Sequence, residues 1–194
     1  MSSGRKTLPT LSKSALLLSP CLHWANPAAR WFEEEKVDKE DLDKKNQGIQ
    51  FHRCIDVSIV KDFLNTCGNA EVTVWLEKAW KWYQDHLLPL VGNDSWNIHS
   101  EIPIAINWNT GDVVPLQVKD REYPDMPGYQ TGTADIVAIL ETGELLVADW
   151  KTGTTEGSEQ QLMSLACGFR KLYLDPVDGQ PRKVKLGCLS VNEH

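Results

Sequence analysis

Between residues 71 and 88 the apolar side chains fall at Val72, Trp75, Leu76, Ala79, Trp80, Tyr83 and Leu87. Those offsets form one stripe at helical period, which predicts an amphipathic helix. The two tryptophans and the tyrosine could stack on nucleic-acid bases, but a buried core face is the stronger expectation. Beyond Gly92 the alternation shortens to strand period. Strands are expected over 96–108, 113–118, 130–140 and 145–151, then a helix over 158–173 and a last strand over 183–191. Upstream, 47–64 reads as a helix and 33–45 as a charge run forming a solvated helix end or loop. Residues 11–32 read as helical pieces interrupted at Pro20 and Pro27, and 1–10 as a tail. The order is helices, three or four strands, helix, strand. That predicts an α/β fold with a mixed central sheet flanked by helices. A single domain is expected over 1–194, with 1–45 a helical N-terminal extension and 46–194 the core.

One segment carries most of the chemistry. The runs Thr131-Gly-Thr-Ala-Asp135-Ile-Val-Ala-Ile-Leu140 and Glu144-Leu-Leu-Val-Ala-Asp149-Trp-Lys151 flank Glu141-Thr142-Gly143. A three-residue loop ending in glycine fits a hairpin whose third loop residue adopts the left-handed region. Leu140 then pairs with Glu144, and Asp135 falls directly opposite Asp149 on one face of the sheet. Lys151, two residues further on, shares that face. A two-residue loop would shift the pairing by one and separate the carboxylates. Two carboxylates so close in apolar strands repel unless one is protonated or a cation lies between them. Oxygen ligands suit Mg²⁺ or Mn²⁺. Such an ion can activate water and hold a phosphate oxygen. A neighbouring lysine can position that water or stabilise charge developing on the phosphate. The plainer alternative is a surface ion pair of Asp149 with Lys151, Asp135 merely starting a strand.

The net charge of −7 argues against broad, charge-driven coating of nucleic acid. It does not argue against a nuclease, because a metal site needs its own acids. Residues 101–150 hold nine acids and two bases, whereas 151–194 hold six bases and five acids. The later bases Arg170, Lys171, Arg182, Lys183 and Lys185 could meet phosphates or could form a solvated face. No stretch approaches the roughly 20 apolar residues of a membrane helix. The five cysteines are scattered without a C-x-x-C pair. A cytoplasmic protein with free thiols is therefore expected.

Asp135 after Gly132-Thr133-Ala134, followed by Asp149-Trp150-Lys151, resembles the PD-(D/E)xK nucleases. Three further stretches make the RecB-like exonuclease branch the closer likeness. Gly48-Ile-Gln-Phe-His52 resembles its G-x-x-x-H motif, whose histidine helps to bind the metal, although a lone histidine can equally be structural. Gln161-Leu-Met-Ser-Leu165-Ala resembles its Q-L-x-x-Y-A helix, with Leu165 in place of the usual tyrosine. Ser158 and Gln161 also make a capping box, which alone could account for Gln161. Leu11-Ser-Lys-Ser14 with Cys21 resembles an N-terminal S-x-S then Cys pattern. There are departures. The Pro-Asp of the superfamily name is Ala134-Asp135 here. A literal Pro124-Asp125 lies in a proline-rich loop with no apolar strand after it. Only Cys188 lies near the C-terminus, which does not fit the relatives that carry an iron-sulfur cluster.

The resemblance implies a restriction-endonuclease-like αβββαβ core. It implies metal binding by His52, Glu101, Asp135 and Asp149. It gives catalytic roles to Asp135, Asp149, Lys151 and Gln161, with Gln161 positioning the substrate or Lys151. Glu101 has an alternative as an ordinary carboxylate at a strand start. The function implied is a Mg²⁺- or Mn²⁺-dependent DNA nuclease, an exonuclease, working in repair, recombination or phage or mobile-element DNA processing. Its partners would be DNA and a helicase or single-strand annealing protein. Two other readings compete with it. One is a non-catalytic nucleic-acid-binding or assembly module, and the other a hydrolase of different phosphate esters.

Overall fold

The structure, a computed structural model, describes residues 39–118, 122–153, 158–174 and 177–191. The helical pieces with Pro20 and Pro27, the Ser12, Ser14 and Cys21 pattern and most of the N-terminal extension lie outside the described residues. So does the Ser158 side chain of the capping box.

The first helix, α1 (Lys39–Lys61), begins inside the charge run. Residues 39–45 are therefore helical turns rather than a loop, since Lys, Glu and Leu are good helix formers and a solvated helix tolerates mixed charge. Phe51, Ile55 and Ile59 are buried at intervals of four, giving α1 its core face. The second helix, α2 (Ala70–Trp82), is started by Asn69. The Asn69 side chain accepts from the amides of Glu71 and Val72 at 3.0 and 3.2 Å, satisfying two donors that a helix start leaves open. The rod continues through a π-helical turn (Tyr83–Leu87) and a final turn (Leu88–Leu90). Val72, Trp75, Leu76, Ala79, Tyr83 and Leu87 are all buried. The aromatic stripe is thus core, not a stacking face.

The strands are β1 (Ile98–Ile106), β2 (Val113–Pro115), β3 (Gln130–Ile139), β4 (Leu145–Lys151) and β5 (Val184–Ser190). They form one mixed sheet in the order β2-β1-β3-β4-β5. The pairs from β2 to β4 are antiparallel, and β4 pairs with β5 in parallel. The parallel pair is joined through helix α3 (Ser158–Leu172). At the sheet edge β2 is shorter than its apolar pattern suggests. It ends at Pro115, which has no amide to extend a ladder.

The two faces of the sheet bury separate cores. One joins α1 and α2 to Ile136, Ala138, Leu146, Ala148 and Trp150. The other joins Leu162, Leu165 and Phe169 of α3 to Ile104, Ile106, Val137 and Val147. Gly168 sets the approach of α3 to β1: a Cβ there would lie 2.6 Å from Ile104 Cδ1 and 2.9 Å from Ile106 Cδ1. Among the described residues no helix is long and apolar enough to cross a membrane.

The hairpin forms with the three-residue loop. The Leu140 amide donates to Glu144 O at 2.8 Å, and the Gly143 amide to Leu140 O at 2.8 Å. Gly143 has φ +80°, the left-handed conformation expected of it. Pairing then runs from Ile139↔Leu145 to Ile136↔Ala148. One step further in this register, Asp135 stands across from Asp149.

Candidate metal centre

A polar ridge of α1 crosses the sheet. Gly48, His52 and Asp56 recur every four residues and so lie in one row on the helix. Together they touch β1, β3 and the segment just past β4. A Cβ on Gly48 would lie 3.1 Å from Thr152 Oγ1, just past β4, so a small residue lets the helix come close there. His52 Nδ1 lies 3.3 Å from Glu101 Oε1 on β1 and 3.5 Å from Asp135 Oδ1 on β3. Asp56 Oδ1 accepts a short hydrogen bond from Ser100 Oγ, the β1 residue beside Glu101.

Glu101, Asp135 and Asp149 form a row across three neighbouring strands. The β1–β3 ladder pairs Ser100 with Ile136 and Ile102 with Ala134, so Glu101 stands opposite Asp135 without forming a regular pair. Glu101 has φ +49° in the middle of a strand. For a non-glycine residue that conformation costs about 1–3 kcal/mol and persists only where its surroundings enforce it.

At this row the strands also roll over. Ala134 belongs to the core under α3, while Ile136 and Ala138 belong to the core under α1 and α2. Residues an even number apart should share a face, so the alternation breaks at Asp135. The same change separates Ile98 from Ile104 on β1. Strand β4 keeps its alternation: Leu146, Ala148 and Trp150 face α1 and α2, and Leu145 and Val147 face α3.

The expectation that Asp135 and Asp149 share one face is corrected accordingly. The register is as expected, but the local break in β3 turns Asp135 toward His52, whereas Asp149 stays on the α3 side. There the Gln161 amide donates to Asp149 Oδ1 at 3.5 Å, and Lys151 Nζ pairs with Asp149 Oδ2. The two acids still meet at one peptide. Asp135 Oδ2 accepts from the Trp150 amide at 2.7 Å, across the bond that joins Asp149 to Trp150. Asp135, Asp149 and Gln161 are all buried, at 2%, 0% and 2% exposure. Leu165 packs into the core under α3, against Gly132.

The later bases do not gather at this row. Arg182 Nη1 donates to Gly143 O at 2.6 Å, and Arg170 Nε to Arg182 O at 3.1 Å. Lys171 Nζ donates to Gly111 O at 2.5 Å. Lys185 pairs with Glu144 at 2.8 Å and holds that carboxyl below its usual range. Three of these four tie the hairpin end of the sheet, and Lys171 ties the β1–β2 turn. Among the described residues the Lys151 ammonium pairs with Asp149. Pro124-Asp125 lies in the connection between β2 and β3, outside any strand.

Sequence reasoning missed Asp56 and Ser100. The only local signals were the spacing of four from His52 and the adjacency to Glu101.

A divalent ion suits the ridge and row together. One atom each from His52, Glu101 and Asp135 lie within 4.8 Å of one another, a nitrogen and two carboxylate oxygens. His52 Nδ1 is buried with no hydrogen-bond partner, since neither carboxylate contact has hydrogen-bond geometry. A cation among these atoms would offset the repulsion of two acids in a partly buried site. One imidazole with carboxylates suits Mn²⁺, and Mg²⁺ less closely. Asp149 lies outside this group of three. No protein-family model matches the chain, and no curated protein matches it in sequence.

Proposed function

We propose that this chain is a Mg²⁺- or Mn²⁺-dependent DNA nuclease of the RecB-like PD-(D/E)xK type, acting as an exonuclease. The observation that carries the reading is the group formed by His52, Glu101 and Asp135, three ligand atoms within 4.8 Å around a buried nitrogen that lacks a hydrogen bond. The order of elements supports it as well: helix, antiparallel strands, helix and a parallel strand is the order the proposed restriction-endonuclease-like core would have, with β2 as an addition at the edge.

In this reading His52, Glu101 and Asp135 hold the metal, while Asp149, which the family pattern also assigns to it, is turned to the α3 side and acts through Lys151. When bound, the ion supplies a polarised water and charge neutralisation for a phosphate. The residues do the rest. The Trp150 amide fixes the Asp135 carboxylate by donating to one oxygen and leaves the other toward His52. Gln161 orients Asp149 and thereby the Lys151 ammonium paired with it. Lys151 stands at the end of β4, where it can hold the attacking water or the charge that develops on phosphate oxygens. The bound ion and the Lys151 ammonium would meet the phosphates, and a helicase or annealing protein would supply the DNA ends.

One observation favours a second reading, a nucleic-acid-binding or assembly module that keeps the fold. Asp149 is engaged with Lys151 and Gln161 apart from the group of three, as a structural ion pair would be. Purified protein with Mn²⁺ or Mg²⁺ and linear or circular DNA separates the readings. Metal-dependent loss of linear DNA alone is the expected result, with Lys151→Ala abolishing it in a folded protein. Absence of any metal-dependent cutting favours the module, and normal cutting by Lys151→Ala refutes the mechanism.

A further inference from the structure

We infer that Asp56 and Ser100 are positioning residues, a strut between α1 and β1 that sets the spacing of His52 and Glu101. The inference rests on the metal-centre reading above and adds what holds that centre together.

His52 and Glu101 come from segments far apart in the chain, and Glu101 lies outside the regular β1–β3 pairing. Asp56 lies one helical turn after His52 on the same ridge. Ser100 directly precedes Glu101, the residue with φ +49°. The bond from Ser100 Oγ to Asp56 Oδ1 therefore joins helix and strand one turn and one residue away from the two ligands. It also sits where the β1–β3 ladder is interrupted, between Ser100↔Ile136 and Ile102↔Ala134. A backbone held in a sparsely populated conformation relaxes unless neighbouring contacts prevent it. The strut is such a contact, on the side of Glu101 that faces α1. With it gone, β1 is free to regain regular pairing at Glu101, and the carboxylate swings out of reach of His52. Hydrogen-bond partners that orient metal ligands act in this way in other metal sites.

The test compares Mn²⁺ binding by titration calorimetry in the full chain, carrying Ser100→Ala, Ser100→Thr or Ser58→Ala. Ser58 is a control on the same helix. Its hydroxyl donates to Cys54 O at 2.9 Å and accepts from the Asn65 amide at 2.8 Å, away from the acids. Ser100→Ala is expected to weaken Mn²⁺ binding by about 10- to 100-fold, the usual effect of losing an orienting partner. Ser100→Thr keeps the hydroxyl and is expected to restore most of the affinity. Ser58→Ala is expected to lower thermal stability while leaving Mn²⁺ affinity unchanged. Wild-type affinity in Ser100→Ala, or an equal loss in Ser58→Ala, overturns the strut and leaves the metal centre standing. A wild-type chain that binds no Mn²⁺ overturns the metal reading itself, and the strut with it.

Discussion

The two ends of the β3–β4 hairpin are built on opposite principles. At the turn end the backbone requirements of the hairpin are met within the loop itself. Gly143 takes the left-handed conformation at no steric cost, the ladder closes in register from Leu140, and Arg182 donates to the loop carbonyl of Gly143. At the other end the ladder stops after Ile136↔Ala148. Beyond it lie a strained Glu101, a rolled strand at Asp135 and a buried imidazole nitrogen with no hydrogen bond. Seven residues of β4 span the whole change. One end is what a stable hairpin looks like, and the other holds charge and strain that folding alone does not call for. Backbone strain and an imidazole nitrogen without a hydrogen bond coincide where the ladder is interrupted, which is what the proposed metal centre would require.

Substitutions can break this contrast. Asp135→Asn removes one of the two charges facing His52 but keeps an acceptor for the Trp150 amide. Mn²⁺ affinity, read by calorimetry, is expected to fall by more than about 100-fold, beyond the range for residues that only orient a ligand. Thermal stability without metal is expected to hold or rise, because acid–acid repulsion with Glu101 is relieved. A large loss of stability would show that Asp135 serves the fold rather than the ion. Gly143→Ala sharpens the contrast from the other side. Forcing φ +80° on alanine is expected to cost about 1–2 kcal/mol in denaturant unfolding. Metal affinity of the folded protein is expected to stay the same. If affinity fell along with stability, the two ends would be one cooperative device and not two.

The features legible in the sequence were the local ones. The α2 stripe, the three-residue loop and the register of the hairpin follow from spacing within a single segment, and their periods are fixed by backbone geometry. What the sequence hid depends on residues far apart. The face of Asp135 cannot be counted from Gly143, because the alternation of β3 breaks where it lies against Glu101 on a different strand. Asp56 and Ser100 are 44 positions apart, and neither residue type points to the other. The bases of the last forty residues were ambiguous by composition. Their carbonyl and carboxylate partners come from the hairpin loop, the β1–β2 turn and their own neighbourhood, a matter of tertiary packing alone.

Anomalous diffraction from crystals soaked in Mn²⁺ locates the ion directly. The expected result is one peak within about 2–2.5 Å of His52 Nδ1 and of carboxylate oxygens from both Glu101 and Asp135. Soaked crystals with no peak among these three side chains would contradict the metal centre on which the nuclease reading stands.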